Sequence, residues 1–217
     1  MGLNIMLPFE QSANPYIEGD HKLVTMKYFF TRKLMFVKEC SAVVCMPGGF
    51  GTLDEALETL TLMQTGKQTM LPLVLMDHPG GSYWSDLGLF LEKQLLNNGM
   101  ISPEDVHLYK ITNSVDETID EILGFYKVYH SMRYVRDRLV FRLKSKLSDD
   151  KLAHIQEQYA DILVDGTFEQ KDALTEEAGE TDLADLPRLV FHFNRRALGR
   201  LRMLINCIND RETENAA

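Results

Sequence analysis

Residues Pro47-Gly48-Gly49-Phe50-Gly51-Thr52-Leu53-Asp54-Glu55 set three glycines in four positions between two segments of different periodicity. Before them, Ser41-Ala42-Val43-Val44-Cys45-Met46 is short, apolar and β-branched enough for a buried strand. After them, Leu53, Ala56, Leu57, Leu60 and Met63 fall on one helical face. The chain here runs strand, glycine turn, helix. In such a turn glycines permit positive φ and let backbone amides approach a ligand closely, while the first N–H groups and the dipole of the new helix favour an anion such as phosphate. The bland alternative is a tight connection without a ligand, although three glycines exceed what a plain turn needs.

The turn sits inside an alternating pattern. Apolar segments at 4–7, 23–30, 41–46, 70–76 and 105–111 read as strands. Segments at 33–40, with Thr31 as a cap, and at 53–65, 87–95 and 116–126 read as helices, the last with Ile119, Ile122 and Leu123 on its inner face. Strands alternating with helices predict an α/β fold, Rossmann-like with a mostly parallel sheet, whose ligands bind at the carboxyl ends of strands. A doubly wound domain usually opens with a strand–turn–helix unit, so this chain is expected to lack that first unit or to be a reduced domain. Beyond residue 129 the pattern changes. Strands are expected at 138–143, 166–174 and 188–194, and helices after Ser148 and over 198–208, with an acidic loop at 175–185. That β-α-β-β-α order suggests a small α+β unit with helices on one face of its sheet, and a helical extension is the competing reading. The expected domains are therefore 1–129, carrying the anion-binding turn, and 130–217.

The 217 residues carry a formal charge of -9, which argues against a general nucleic-acid binder. Cys40, Cys45 and Cys207 are odd in number and form no C-x-x-C pair, so buried reduced thiols are expected rather than disulfides or a zinc site. His21, His78, His107, His130, His154 and His192 are scattered without metal-ligand spacing, and no metal is expected. No apolar run reaches the roughly 18 residues of a membrane span, and no secretory leader is recognisable, so a soluble, cytoplasmic protein without membrane contact is expected.

Within the turn, Thr52 could donate its hydroxyl to a phosphate oxygen. Thr52-Leu53-Asp54-Glu55 also fits a capping box, so Glu55 is either a cap partner or a catalyst. A carboxylate beside a phosphate cradle suits a sugar phosphate, because cleaving a glycosidic bond builds positive charge on the sugar. Arg32 and Lys33 follow an apolar segment, and a guanidinium fork can grip phosphate, although a solvated surface position is the plain reading. Tyr83 and Trp84 precede a helix, where packing is the simpler role than base stacking. Arg188, Arg195, Arg196, Arg200 and Arg202 follow the acidic loop. Pairing within the molecule is the simple account, and an anionic effector or nucleic acid the other.

Arg32-Lys33, with Met35 or Phe36 behind it, followed by Cys45-Met46 and the turn through Glu55, resembles the signature of the LONELY GUY family. Those proteins are cytokinin riboside 5'-monophosphate phosphoribohydrolases, and many bacterial relatives carry an older lysine decarboxylase label. The resemblance extends over roughly residues 2–127, and Gly2 to Gln11 resembles the longer bacterial branch. It implies hydrolysis of a nucleoside 5'-monophosphate to free base and ribose 5-phosphate, without a metal or organic cofactor, in a homodimer or higher homo-oligomer. It implies that Arg32 and Glu55 are catalytic, that Gly48, Gly49, Gly51 and Thr52 hold the phosphate, and that Lys33 gives support. Two departures stand out. The earlier glycine-rich turn of the family has no match here, and Phe29-Phe30-Thr31-Arg32-Lys33 has Phe where plant-like members have His. The expected substrate is therefore AMP-like, with a cytokinin riboside monophosphate as the other nucleotide the resemblance implies, and a catalytically silent nucleotide-binding module is the alternative. The decarboxylase label would require a pyridoxal phosphate lysine, of which the sequence gives no independent sign.

Overall fold

The computed structural model describes residues 1–6 and 13–211 and divides the chain into two compact units, Met1–Ser41 and Ala42–Ala217. The fold is mixed α/β with parallel strands, as the alternating pattern implies. In the first unit β1 (Gly2–Ile5) pairs in parallel with β2 (Leu23–Met26), and α1 (Phe29–Glu39) follows. The expected strand over 23–30 is therefore shorter, because the helix begins at Phe29, and Thr31 lies inside α1 rather than capping it. Residues 7–11 of the expected first strand and of the bacterial-branch resemblance lie outside the described residues.

In the second unit β3 (Val43–Cys45), α2 (Phe50–Gln64), β4 (Leu73–Met76), α3 (Tyr83–Phe90) and β5 (Lys110–Thr112) follow in order. Their strands form a parallel sheet of order β3-β4-β5, with Val74 and Leu75 of the central strand fully buried. A π-helical segment, Leu91–Leu96, extends α3. The strand expected over 105–111 is mostly a 3-10 helix, Pro103–Leu108. Ser102 and Asp105 form a capping box and Pro103 occupies the first turn, so local capping wins over β-propensity.

Helix α4 (Val115–Phe125) turns a different face inward than its apolar residues suggest. Thr118, Glu121 and Phe125 are buried, whereas Ile119 and Leu123 are 46% and 68% exposed. Glu121 is drawn in by two cations, Arg202 and Arg211, and Arg202 also lies over the Phe125 ring at 4.5 Å.

The chain continues as β6 (Tyr129–Val135), β7 (Arg138–Leu143), α5 (Asp149–Gln158), β8 (Glu169–Lys171), β9 (Arg188–Phe191) and α6 (Leu198–Ile208). The four strands make an antiparallel sheet of order β6-β7-β9-β8. An edge-to-face aromatic row ties its first face to α4: Phe125 to Tyr129 at 5.3 Å, Tyr129 to Phe141 at 5.2 Å, and Phe141 to Phe191 at 5.2 Å. The second face holds a small apolar cluster of Val135, Val140 and Val190 with Leu174 against it, beside a row of arginines. The acidic stretch 175–185 is not a solvated loop. It folds as two single-turn 3-10 helices, Thr175–Glu177 and Thr181–Leu183, and its carboxylates reach that arginine row.

Candidate functional site

Strand β3 ends at Cys45, and Gly49 is the N-cap of α2, with φ -83 and ψ -163. None of Gly48, Gly49 and Gly51 has positive φ among the glycines that do, so the turn does not need glycine for handedness. At Gly48 it needs glycine for space. A Cβ on Gly48 would run into the Thr52 side chain, whereas Cβ atoms on Gly49 and Gly51 would stand in open space beside the backbone.

Helix α2 begins earlier than its apolar periodicity suggests, and this changes the reading of Thr52 and Glu55. The Thr52 amide donates to the Gly49 carbonyl at 3.0 Å and the Leu53 amide to the same oxygen at 3.3 Å. No side chain caps this helix. Thr52 therefore sits within the first turn and Glu55 in the second, too far along for the capping box. The amides of Gly49, Phe50 and Gly51 precede the first helical hydrogen bond, at the end where the helix dipole favours negative charge. The half-buried Glu55 lies near the end of β3: burial, with the Glu55 charge adding to it, pushes the Cys45 thiol up to about 11.

The turn is braced from the neighbouring strand. The Tyr83 hydroxyl, at the first residue of α3, donates to the Gly48 carbonyl at 2.7 Å. Trp84 is fully buried, its indole N–H bonded to the Met76 carbonyl at 3.1 Å. Both aromatic residues thus serve packing and bracing, and the Tyr83 contact spans 35 residues, beyond the reach of local sequence patterns. At the carboxyl ends of β4 and β5 a cavity of about 320 Å³ is lined by Asp77, Ser85, Thr112 and Glu117 among others. Its polar groups are largely engaged with one another and with backbone. Thr112 donates to Glu117 at 2.5 Å, and Asp77 accepts from the His78 amide at 2.9 Å.

The structure brings Gly48, Gly49, Gly51, Thr52 and Glu55 together on one turn and its helix. Arg32 and Lys33 belong to the other compact unit, both half-buried in the first turns of α1. Arg32 Nε donates to the Leu3 carbonyl of β1 at 3.1 Å, which fixes the guanidinium against that strand. Of the C-terminal arginines, Arg188 pairs with Glu177, Arg200 with Asp161 and Arg202 with Glu121, so intramolecular pairing accounts for these three.

A family model described as possible lysine decarboxylase matches residues 1–122. The chain belongs to this family. Its relatives bear LONELY GUY names. Cytokinin riboside 5'-monophosphate phosphoribohydrolase LOG1 of Arabidopsis thaliana is 33% identical over 91 residues, covering 42% of this chain and 41% of that protein. The probable cytokinin riboside 5'-monophosphate phosphoribohydrolase LOGL3 of Oryza sativa subsp. japonica is 32% identical over 99 residues, covering 46% and 44%. LOG3 of Arabidopsis thaliana, named for the same activity, is 38% identical over 72 residues, covering 33% and 32%. The chain thus spans less than half the length of each of these LONELY GUY relatives. Among the described residues, no helix is long and apolar enough to cross a membrane.

Proposed function

We propose that the chain carries the phosphate and ribose side of a site that hydrolyses the N-glycosidic bond of a nucleoside 5'-monophosphate, AMP-like or a cytokinin riboside monophosphate. Water adds at the sugar carbon, and the products are the free base and ribose 5-phosphate. The observation that carries this reading is the glycine turn at the end of β3, which opens α2 without a side-chain cap and sets Glu55 in the second helical turn. Amides at a helix N-terminus suit a phosphate, and a carboxylate one turn further suits the positive charge that develops on the ribose.

In this reading Gly48, Gly49, Gly51 and Thr52 hold the phosphate, with Gly48 keeping the turn tight and Thr52 adding a hydroxyl. Glu55 stabilises the oxocarbenium-like transition state, and Arg32 supplies a cation to the substrate with support from Lys33. The names of the family relatives support the reaction class. The same reading treats residues 1–129 as a Rossmann-like nucleotide-binding domain and 130–217 as a small C-terminal α+β domain. It also implies that the working enzyme is a homodimer or larger homo-oligomer. Incubating the purified chain with AMP and assaying adenine and ribose 5-phosphate tests the proposal. Stoichiometric release of both is expected, and AMP binding without turnover would make the chain a silent nucleotide-binding module instead.

A further inference from the structure

We propose that Tyr83 is a positioning residue for the phosphate cradle, its hydroxyl holding the Gly48 carbonyl so that the Gly49 amide is aimed at the substrate phosphate. The proposal rests on the glycine turn being that cradle. In a trans peptide the carbonyl and the following N–H point in opposite directions, so fixing the Gly48 oxygen fixes the Gly49 N–H. The 2.7 Å bond from Tyr83 draws that oxygen toward α3 and leaves the amide facing the other way. An external hold matters at this place because the peptide joins two glycines, whose φ and ψ are the least restricted of any residues.

Tyr83 is itself firmly set. Its ring stands edge-to-face on Trp84 at 4.8 Å and 86°, and Trp84 is anchored through its indole N–H to β4. The loop from β4 to α3 is built around the buried Asp77 carboxylate. That group accepts from the His78 amide at 2.9 Å and the Trp84 amide at 3.4 Å, and it occupies the space a Cβ on Gly81 would need. Strands β3 and β4 are paired neighbours, Cys45 against Leu75. The hydroxyl therefore ties the turn after one strand to the helix after the next.

The test compares the full chain with Tyr83→Phe, which keeps the ring and removes only the hydroxyl. Thermal melting is expected to change by no more than about 2 °C. Affinity for ribose 5-phosphate and for inorganic phosphate is expected to fall, and KM for AMP to rise, roughly five- to twentyfold, the loss of one oriented charge-assisted donor, with a far smaller change in kcat. In ¹⁵N-labelled wild type, added phosphate should shift the Gly49 amide strongly, and the variant should show that shift reduced. Unchanged affinity, KM and Gly49 shift in Tyr83→Phe would overturn the role of Tyr83 and leave the cradle intact. A wild type that binds neither phosphate probe would overturn the cradle and the inference together. Should the variant melt well below wild type, the wild-type spectrum decides alone: phosphate shifts at Gly51 and Thr52 that spare Gly49 would overturn the proposal.

Discussion

Glu177→Gln should destabilise the second compact unit more than any surface substitution. The β7–β9 register sets Arg142 directly opposite Arg188, a like-charge pair that a bare sheet would not tolerate. Glu177 sits between them with its side chain fully buried. One carboxylate oxygen accepts from Arg142 at 2.9 and 2.7 Å, and the other from Arg188 at 2.8 Å. Glu180 continues the row, pairing with Arg142 at 2.5 Å and also with Arg133. Removing one partner of a buried ion pair typically costs about 3–5 kcal/mol, because the charge left behind stays desolvated. Glu180 still serves Arg142, so the lower end, about 3 kcal/mol, is the better figure. For a unit of this size that corresponds to about 6–12 °C in melting temperature. The pH dependence has a definite sign. Burial pushes the Glu177 carboxyl up, but hydrogen bonds from Arg188, Arg142 and the Leu174 amide outweigh it and hold the group below the usual carboxylate range. Its contribution is therefore complete above the ordinary glutamate range and is lost as pH falls through the lowered value. Thermal and urea unfolding of wild type and Glu177→Gln, at neutral pH and in acid, read both effects. A loss below about 1 kcal/mol at neutral pH, the level of an exposed pair, would refute the reasoning.

Four further outcomes are expected. Gly49→Ala should fold normally, since φ of -83 suits alanine and nothing crowds its Cβ, yet lose at least about tenfold in AMP turnover as the methyl enters the cradle. Gly48→Ala should instead cost about 1–3 kcal/mol of stability by collision with Thr52, measurable by urea titration. Asn209→Ala should cost about 2–4 kcal/mol, because the buried amide accepts from the Val128 and Tyr129 amides at 2.7 and 3.0 Å and donates to the Phe125 carbonyl at 2.7 Å. Cys45, with its thiol pushed up to about 11, should resist iodoacetamide in the native protein at pH 8 and react only after unfolding, as mass spectrometry would show.

Where one face of an element is apolar and the other polar, the sequence is legible, as in the strand–turn–helix around Gly48 and in β7, β9 and α6. Strand β6 is the clearest omission. One of its sides carries the polar Ser131, opposite Arg142, and Arg133, paired with Glu180, which dilutes its β pattern, and its hairpin turns through Arg136 and Asp137 without an Asn-Gly signal. Arg136 takes φ 55 there, a conformation for which arginine gives no cue. The inner face of α4 is hidden for a related reason, since a carboxylate is buried only when its partners, 81 and 90 residues away, arrive. At the candidate site, the glycines, Thr52 and Glu55 stand out by spacing alone. The start of α2 does not, because Phe50 and Gly51 carry neither a cap signal nor a buried apolar side chain, and that start separates the capping role of Glu55 from a catalytic one.

The central claim is that Glu55 acts on the sugar rather than on the backbone of its own helix. Single-turnover hydrolysis of AMP by wild type and Glu55→Gln, with ribose 5-phosphate affinity measured on both, tests it most directly. The expected result is a variant that melts like wild type and binds ribose 5-phosphate as tightly, but releases adenine about 10²–10⁴ times more slowly. Adenine release at the wild-type rate by folded Glu55→Gln would contradict the account.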